Sequence, residues 1–290
     1  MIPQSGKASD AIQSFFYHLL RFLPTEWASA IGSFGYRLNG RLARKESVAS
    51  LRRNLRQLRP DATEAEIEGW IDEFYDGVGR VAAEFPVLPR FLQEGRIRVT
   101  GMEELKAIAG QKPIVALCVH TGNWEVFSPV FQQAGIKLNS IIQFPASGME
   151  ERVVDATRRA FEVNPILPDV AGTRQAVRIL KAKGLVSMFP DEARNGHTMA
   201  PLFGRLPHEK GNLAIAARLA RMSGASFVLG HCRRVGACRF DLHFSPIFEL
   251  PARERPDVLA DVAFLNDHIE PIIRREIPRW YFLDDSLAPL

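Results

Sequence analysis

The sequence has few cysteines and lacks any long apolar run. Its three cysteines, Cys118, Cys232 and Cys238, form no Cys-x-x-Cys pair, so neither a disulfide framework nor a zinc knuckle is expected. Apolar residues nowhere continue for about 18 positions, which argues against a helix that crosses a bilayer. The polar segment 1–10 does not have the layout of a signal peptide. Any membrane role is therefore expected to be peripheral.

The motifs of several enzyme and binding classes are also missing. The seven histidines are scattered and include no His-Glu-x-x-His motif, so no metal is expected, and nothing indicates another cofactor. The nucleophile-elbow pattern Gly-x-Ser-x-Gly does not occur. Arginine is abundant, but neither a helix-turn-helix pattern nor a basic sheet with interleaved aromatic residues accompanies it. No nucleic-acid partner is therefore expected.

The composition that is present belongs to a folded protein with unevenly placed charge. Hydrophobic residues make up 46% and charged residues 24% of the 290 positions, which argues against disorder. A basic block precedes an acidic stretch. The block suits an anionic membrane surface, phosphates or an acidic carrier protein; a solvated helix face is the alternative. Its basic residues are Arg37, Arg41, Arg44, Lys45, Arg52, Arg53, Arg56 and Arg59, and the acids that follow are Asp61, Glu64, Glu66, Glu68, Asp72, Glu73 and Asp76.

Two amphipathic helices are predicted at the N-terminus, separated by Pro24. Each repeats apolar residues at helical spacing. Aromatic residues on one side with arginine close by suit a helix that lies in a membrane interface. A helical hairpin that packs on the rest of the protein is the alternative, and the two are compatible. The apolar positions are Ile12, Phe15, Phe16, Leu19, Leu20 and Leu23, then Trp27, Ile31, Phe34, Gly35 and Leu38.

After a further predicted helix at 64–84, segments of helical character that end near glycine alternate with short apolar runs. This alternation is typical of an α/β sheet. Strands are expected at 114–119, 137–144, 185–189, 226–231 and 241–248, the last two as a possible hairpin, and helices at 103–109, 125–134, 173–183 and 213–222. We predict an α/β domain at 96–290, with a mixed central sheet flanked by helices, after a helical membrane-associating region at 1–95 that contains a helical hairpin.

His120 is the candidate general base. It follows the apolar run 114–119, and ligands of open α/β sheets bind beyond the carboxyl ends of the strands. Gly122 permits a tight turn, and Asn123 can cap the next helix. Glu125 is then expected close enough to hydrogen-bond the imidazole, to fix its tautomer and to stabilise the imidazolium. A buried histidine with a purely structural carboxylate partner is the alternative.

Three blocks, in order, resemble the bacterial lipid A biosynthesis (lauroyl/myristoyl) acyltransferase family. His-Thr-Gly-Asn-Trp-Glu at 120–125 is similar to the His-x4-Asp/Glu motif of these acyltransferases. Phe-Pro-Asp-Glu at 189–192 and Ala-Pro-Leu-Phe-Gly at 200–204 are similar to the family's Pro-Asp-x-Asp and Pro-Phe-Phe-Gly. The third block is 219–225, before a strand. The similarity runs from about Gly101 to Pro251 and more loosely into 51–84 and the C-terminus.

The resemblance implies a glycerol-3-phosphate acyltransferase-like fold and the transfer of a fatty acyl chain to a hydroxyl group. The donor would be an acyl thioester of acyl carrier protein or coenzyme A. The acceptor would be a lipid A precursor or a related glycolipid or lysolipid in the membrane. The implied location is the cytoplasmic face of the bacterial inner membrane, with peripheral or N-terminal anchoring.

The resemblance also implies roles for particular residues. His120 would be the general base and Glu125 its partner. Arg158 stands in the place of an arginine that helps to hold the thioester oxygen or the acceptor; a surface helix position is the alternative. Backbone N–H groups around Gly122 and Asn123 would hold the oxyanion together with this arginine.

Two acids at a second predicted strand end complete the candidate site. Asp191 and Glu192 follow 185–189, so they can line the same crevice as His120. They are expected to hold polar headgroup atoms or an arginine. Solvated acids in a strand-end turn are the alternative.

Two other functions stay open. A hydrolase could use Cys118 as its nucleophile, because Cys118 and His120 point to one face of a strand; a cysteine inside a strand is, however, usually a small core residue. The second alternative is a non-catalytic lipid-binding protein of the same fold. It predicts that Glu125 and Arg158 face away from any cavity.

Overall fold

The protein is described by a computed structural model, which covers residues 7–142 and 156–289 and the side chains from residue 15 onward. The predicted position Ile12 and the end of the strand predicted at 137–144 therefore lie outside the described side chains and residues. The helices are α1 (Lys7–Phe22), α2 (Thr25–Ala43), α3 (Lys45–Leu58), α4 (Glu64–Glu84), α5 (Arg90–Gln93), α6 (Met102–Ile108), α7 (Phe127–Gln133), α8 (Val170–Lys181), α9 (Asn212–Ser223) and α10 (Val258–Arg275).

A seven-stranded sheet forms the centre of the fold. Its strands are β1 (Ile97–Thr100), β2 (Ile114–Cys118), β3 (Asn139–Ile141), β4 (Asn164–Ile166), β5 (Leu185–Met188), β8 (Ser226–Gly236) and β9 (Arg239–Phe244), with β6 (Ala193–Arg194) and β7 (His197–Thr198) in a small separate hairpin. The spatial order is β1-β9-β8-β2-β5-β3-β4, and every neighbouring pair is parallel except β8 and β9. The predicted mixed α/β sheet flanked by helices is confirmed.

β2 lies inside the sheet, between β5 and β8, with all five of its residues buried. Its alternate side chains enter two different apolar layers. Val115 and Leu117 pack with α8, α9, α10 and parts of α3 and α4 on one face. Ile114, Ala116 and Cys118 pack with α7 and residues around α5 on the other. Because both faces are covered, a fully apolar strand is the expected sequence at this position.

Helix α4 begins and packs as its sequence predicts. Thr63 and Glu66 form a capping box at its N-terminus, which satisfies backbone donors that would otherwise lack partners. In its C-terminal half, α4 crosses α2 closely, with Gly79 lying against Gly32. A Cβ added at either glycine would lie 2.2–2.3 Å from the carbonyl oxygen of the other, so only glycine permits this approach.

Half of the basic block is paired with the acidic stretch that follows it. Arg41 and Arg37 of α2 contact Asp72 of α4. Two arginines of α3 pair with the start of α4: Arg52 with Glu68, and Arg56 with Glu64. These contacts are exposed, and each contributes little to stability. They nevertheless show that arginines of α2 and α3 form ion pairs with acidic residues of α4.

The apolar side chains of α1 and α2 face outward. Phe22 is 82% exposed, Phe34 71% and Trp27 67%. Phe15, Phe16, Leu19, Ile31, Leu38 and Leu42 are also exposed. Among the described residues, no helix has both the length and the apolar character needed to cross a bilayer. The two predicted N-terminal helices are present, and the described part of the chain leaves their apolar stripe uncovered.

Candidate active site

The site is built where two parallel neighbouring strands end. The register of β2 and β5 pairs Ile114 with Leu185, an offset of 71 residues, and the same offset of 71 relates His120 to Asp191. Both residues therefore continue the ladder beyond the carboxyl ends of their strands. This is the edge at which open α/β sheets place their ligands.

His120 is held by Asp191 and not by Glu125. The imidazole Nδ1 lies 3.0 Å from Asp191 Oδ1, and the backbone N–H of His120 donates to Oδ2 over 2.7 Å. The expected hydrogen bond from His120 to Glu125 is thus wrong: the parallel register brings the aspartate of the next strand opposite the ring. A carboxylate at Nδ1 requires the proton on that nitrogen, which leaves Nε2 as the basic nitrogen.

Aromatic side chains surround the imidazole. Its centroid lies 4.1 Å from the ring of Phe189 and 5.1 Å from the rings of Trp124 and Phe282. Trp280 is fully buried and donates its indole N–H to Asp191 Oδ2 over 3.0 Å. The aspartate is therefore fixed from a third direction, and the His120 side chain remains only 17% exposed.

The turn after His120 is fixed by a buried polar network. Gly122 has φ 63°, and a Cβ there would lie 2.6 Å from the Cys232 carbonyl oxygen, so the turn needs glycine as predicted. Asn123 accepts from the Glu125 backbone N–H over 3.1 Å and caps the short helix Trp124–Val126, as expected. Its amide also donates to the buried Glu84 over 2.7 Å. Asn123 thus anchors the turn to α4.

A cavity of about 460 Å³ opens beside the imidazole. It lies between α7 and the sheet face that carries Cys118, Ser187 and Ser140. His120, Trp124 and Phe282 line it at the carboxyl edge of the strands. Phe131, Leu138 and Val163 line it toward the amino ends of β3 and β4. The cavity is therefore polar at the histidine and apolar farther in.

Three further predicted residues line this cavity: Glu125, Arg158 and Glu192. Burial raises the pKa of Glu125, and the nearby charges of Arg158 and His120 oppose that rise. The Glu125 carboxylate accepts from the Trp124 indole over 3.0 Å. Burial also raises the pKa of Glu192, which accepts from Arg194 over 2.8 Å. The non-catalytic alternative predicted that Glu125 and Arg158 face away from any cavity, and in the structure both face one.

Cys118 also lines the cavity, but its chemistry does not suit a nucleophile. The residue is 1% exposed. Burial, together with the charge of Asp191, raises the pKa of the thiol far above its ordinary value. Only the thiolate is a good nucleophile. The structure therefore disfavours the Cys118 hydrolase.

Sequence reasoning placed Asp191 at the site but missed its bond to His120, and it missed Trp280, Phe189 and Phe282 as neighbours of the ring. The signal for Asp191 was its position at a strand end. No local pattern indicated that β5 would lie directly beside β2. Trp280 comes from a segment 160 residues from His120 and carried no such signal.

Fold and geometry together define a class: an α/β protein with a histidine–aspartate pair at the carboxyl edge of its parallel strands, beside a deep cavity. The model of the bacterial lipid A biosynthesis acyltransferase family matches residues 6–287. Since the match spans nearly the whole chain, the chain belongs to this family and is an acyltransferase. A comparison with individual curated proteins finds no match.

Proposed function

We propose that this acyltransferase moves a fatty acyl chain from an acyl thioester to a hydroxyl of a lipid A precursor or related glycolipid or lysolipid, with His120 as general base. The observation that carries the proposal is the His120–Asp191 pair at the mouth of the cavity. The bond at Nδ1 orients the ring and leaves Nε2 for the acceptor hydroxyl.

In the proposed reaction, His120 Nε2 removes the proton of the acceptor hydroxyl as its oxygen attacks the thioester carbonyl carbon. The carbon–sulfur bond then breaks, and the imidazolium returns the proton to the leaving thiolate. The products are an ester and a free thiol, so the enzyme ends unchanged. The buried Asp191 carboxylate, 3.0 Å from Nδ1, stabilises the imidazolium during this cycle.

The cavity is the proposed binding site of the donor's acyl chain. Its inner wall of Phe131, Leu138 and Val163 offers the apolar surface that a hydrocarbon tail needs. The thioester would remain near the carboxyl edge, within reach of His120. We assign acyl carrier protein as the first candidate carrier of this thioester and coenzyme A as the second.

The charged residues at the mouth receive supporting roles in the proposal. Arg158 would stabilise the oxyanion that forms on the thioester carbonyl, since a fixed guanidinium beside developing charge is effective in a poorly solvated site. Glu125 would hold this arginine, and Glu192 would hold polar atoms of the acceptor. Backbone N–H groups around Gly122 and Asn123 would add to this oxyanion site. The bonds of the Asn123 side chain to Glu84 and to the Glu125 backbone N–H would fix the turn that carries them.

Peripheral binding at the cytoplasmic face of the inner membrane is part of the same proposal. The exposed aromatic residues of α1 and α2 support it, because burial of such a stripe in the headgroup region of a bilayer lowers the free energy. Exposed basic residues such as Arg53 of α3, whose hydrogen bond is to Ser50 and not to an acid, would add attraction to anionic lipid. Acceptor and donor chains would then enter the site without crossing bulk water.

The test incubates the protein with acyl carrier protein thioesters and total membrane lipid, and mass spectrometry identifies any lipid that gains an acyl chain. The variant His120→Ala should lose about 10²–10⁴-fold in rate, the usual contribution of a general base. His243→Ala is the matched control, since His243 is exposed and outside the cavity. Near-normal turnover by His120→Ala on the identified lipid would refute the proposal.

A further inference from the structure

A second cavity of about 460 Å³ lies on the other side of the turn that follows His120. We call it the arginine cleft, since its wall contains Arg80 of α4, Arg233 and Arg234 of β8, and Arg279, with the acids Glu73 and Asp76. The backbone of Gly122 forms part of the same wall. The proposed reaction assigns no role to this cleft.

Two chain segments run from the arginine cleft into the cavity that holds the imidazole. In the first, Gly122 lines the cleft and His120 lines the cavity. In the second, Arg279 lines the cleft and Phe282 lines the cavity. A step of two residues spans at most about 7 Å. The wall of the cleft at Gly122 therefore lies within about 7 Å of His120 along the chain, a span that a lipid acceptor exceeds.

Among the four arginines of the cleft, Arg233 is the one most weakly paired with acids. Arg80 bonds Asp76 over 2.8 Å, and Arg279 bonds Glu73 over 2.6 Å. Arg233 differs, because its side chain is 59% exposed and its contact, at 3.4 Å, is with Glu276, which Arg279 also approaches to 3.4 Å. Its cross-strand neighbour Asp241 is held instead by Arg98. The exposed part of the Arg233 side chain is available to an anion.

The position of Arg233 is fixed by its neighbour. Arg234 is buried, forms a two-pronged pair with Glu84 over 2.7 and 2.8 Å, and donates to the Ala237 carbonyl over 2.7 Å. These bonds anchor the end of β8. Because successive side chains of a strand point to opposite faces, the anchored Arg234 fixes the direction in which Arg233 leaves the strand, and both residues line the cleft.

We propose that the arginine cleft binds an anionic phosphate group on the headgroup of the lipid acceptor, with Arg233 as its principal ligand and Arg80 and Arg279 beside it. This inference rests on the proposed acyl transfer. Guanidinium groups bind phosphate through paired, charge-assisted hydrogen bonds. The phosphate belongs to the acceptor rather than to the donor, because the cavity proposed for the donor's acyl chain lies on the opposite side of the turn. In a carrier-protein or coenzyme A thioester, two amide units also separate sulfur from phosphate, a longer span than this turn provides.

The kinetic test compares Arg233→Ala with Arg218→Ala, a matched control on α9 whose arginine pairs with Glu209 at the surface. The acceptor lipid identified by mass spectrometry is used before and after removal of its phosphate groups. Arg233→Ala should raise the acceptor KM at least about tenfold, as expected for a lost charged hydrogen bond, with donor KM and kcat nearly unchanged. The dephosphorylated acceptor should not distinguish Arg233→Ala from wild type.

A binding measurement separates this inference from the reaction. Calorimetry with inorganic pyrophosphate should show binding to wild type and to Arg218→Ala, and about tenfold weaker binding to Arg233→Ala. Pyrophosphate should compete with the acceptor; competition with the donor alone would overturn the assignment. If His120→Ala abolishes transfer while Arg233→Ala alters neither acceptor KM nor pyrophosphate binding, the cleft inference fails and the proposed function stands. If wild type transfers no acyl chain, the proposed function fails and absence of pyrophosphate binding would refute the cleft as well.

Discussion

At the residue scale, Asp191 is the most constrained side chain of the candidate site. It is fully buried, and three N–H groups donate to it: the His120 backbone, His120 Nδ1 and the Trp280 indole. A carboxylate can accept all of these bonds. An amide presents two hydrogens on one side, so it would place a donor against a donor. The site therefore needs an acid, and not merely a polar residue, at this position.

Asp191→Asn should lower kcat by at least about a hundredfold while the acceptor KM changes little. The reason is that the variant would favour the wrong imidazole tautomer and would stabilise the imidazolium less. Steady-state kinetics with the identified lipid measures the effect, and circular dichroism checks that the fold is retained. A folded variant with wild-type kcat would show that His120 does not depend on this partner.

At the element scale, the exposed apolar stripe of α1 and α2 has no partner within the described chain. Burial of apolar surface contributes about 25 cal/mol per Å², so several exposed aromatic rings represent a substantial gain in free energy on insertion. The helices are amphipathic, and within residues 7–142 and 156–289 none is long and apolar enough to cross a bilayer. Binding along the interface uses this stripe without requiring a span.

The double variant Phe22→Ser/Phe34→Ser should weaken binding to vesicles of anionic phospholipid by about tenfold or more, since each ring contributes apolar area at the interface. Co-sedimentation with vesicles measures the partition. Leu206→Ser is the control, because Leu206 is equally exposed but lies far along the chain, after β7. If the double variant and wild type bound the vesicles equally, the stripe would not be the membrane-binding surface.

Regular elements were the part of the fold most readable from the sequence. The helix predicted at 64–84 has the bounds of α4, and strands β2 and β5 lie within one residue of their predicted ends. β1 and β4 were missed, since four and three residues are too few to show a period. The long α10 was missed as well, and it contains Pro271, which normally argues against a helix interior.

The candidate site was less readable, because its decisive contact is non-local. The motif at 120–125 located the histidine, the glycine turn and the cap. Local spacing favoured Glu125 as the partner of His120, whereas the strand register brings Asp191 to it. Register between distant strands is set by packing on both faces, which a single sequence does not reveal.

At the scale of the whole molecule, the C-terminal segment connects the N-terminal helices to the site. Asn54 of α3 donates to the carbonyl oxygens of Leu283 and Asp285, both over 2.7 Å, and Ser47 donates to the Asp284 carboxylate over 2.7 Å. A few residues earlier, Trp280 bonds the Asp191 carboxylate. Residues of α3 and α4 also share one apolar core with β2 and β5. The boundary at residue 95 stays a prediction.

This packing leaves an acid in a poorly solvated position, and the stability of the whole molecule should respond to pH as a result. Burial, with the charge of Asp284, raises the pKa of Asp285 to about 6. A raised pKa means that the folded state favours the neutral acid. Its contribution to stability is present below the unfolded pKa of about 4 and is lost as pH rises through about 6. Asp285→Asn should therefore raise the free energy of unfolding by about 1 kcal/mol at pH 8, a value reduced for partial exposure of the side chain, and by about half as much at pH 5. Urea unfolding at the two pH values measures the difference, and the exposed Asp267→Asn should show no such dependence.

An equal effect of Asp285→Asn at both pH values would mean that the carboxyl titrates normally and that the packing of the C-terminal segment, rather than its charge, determines the change.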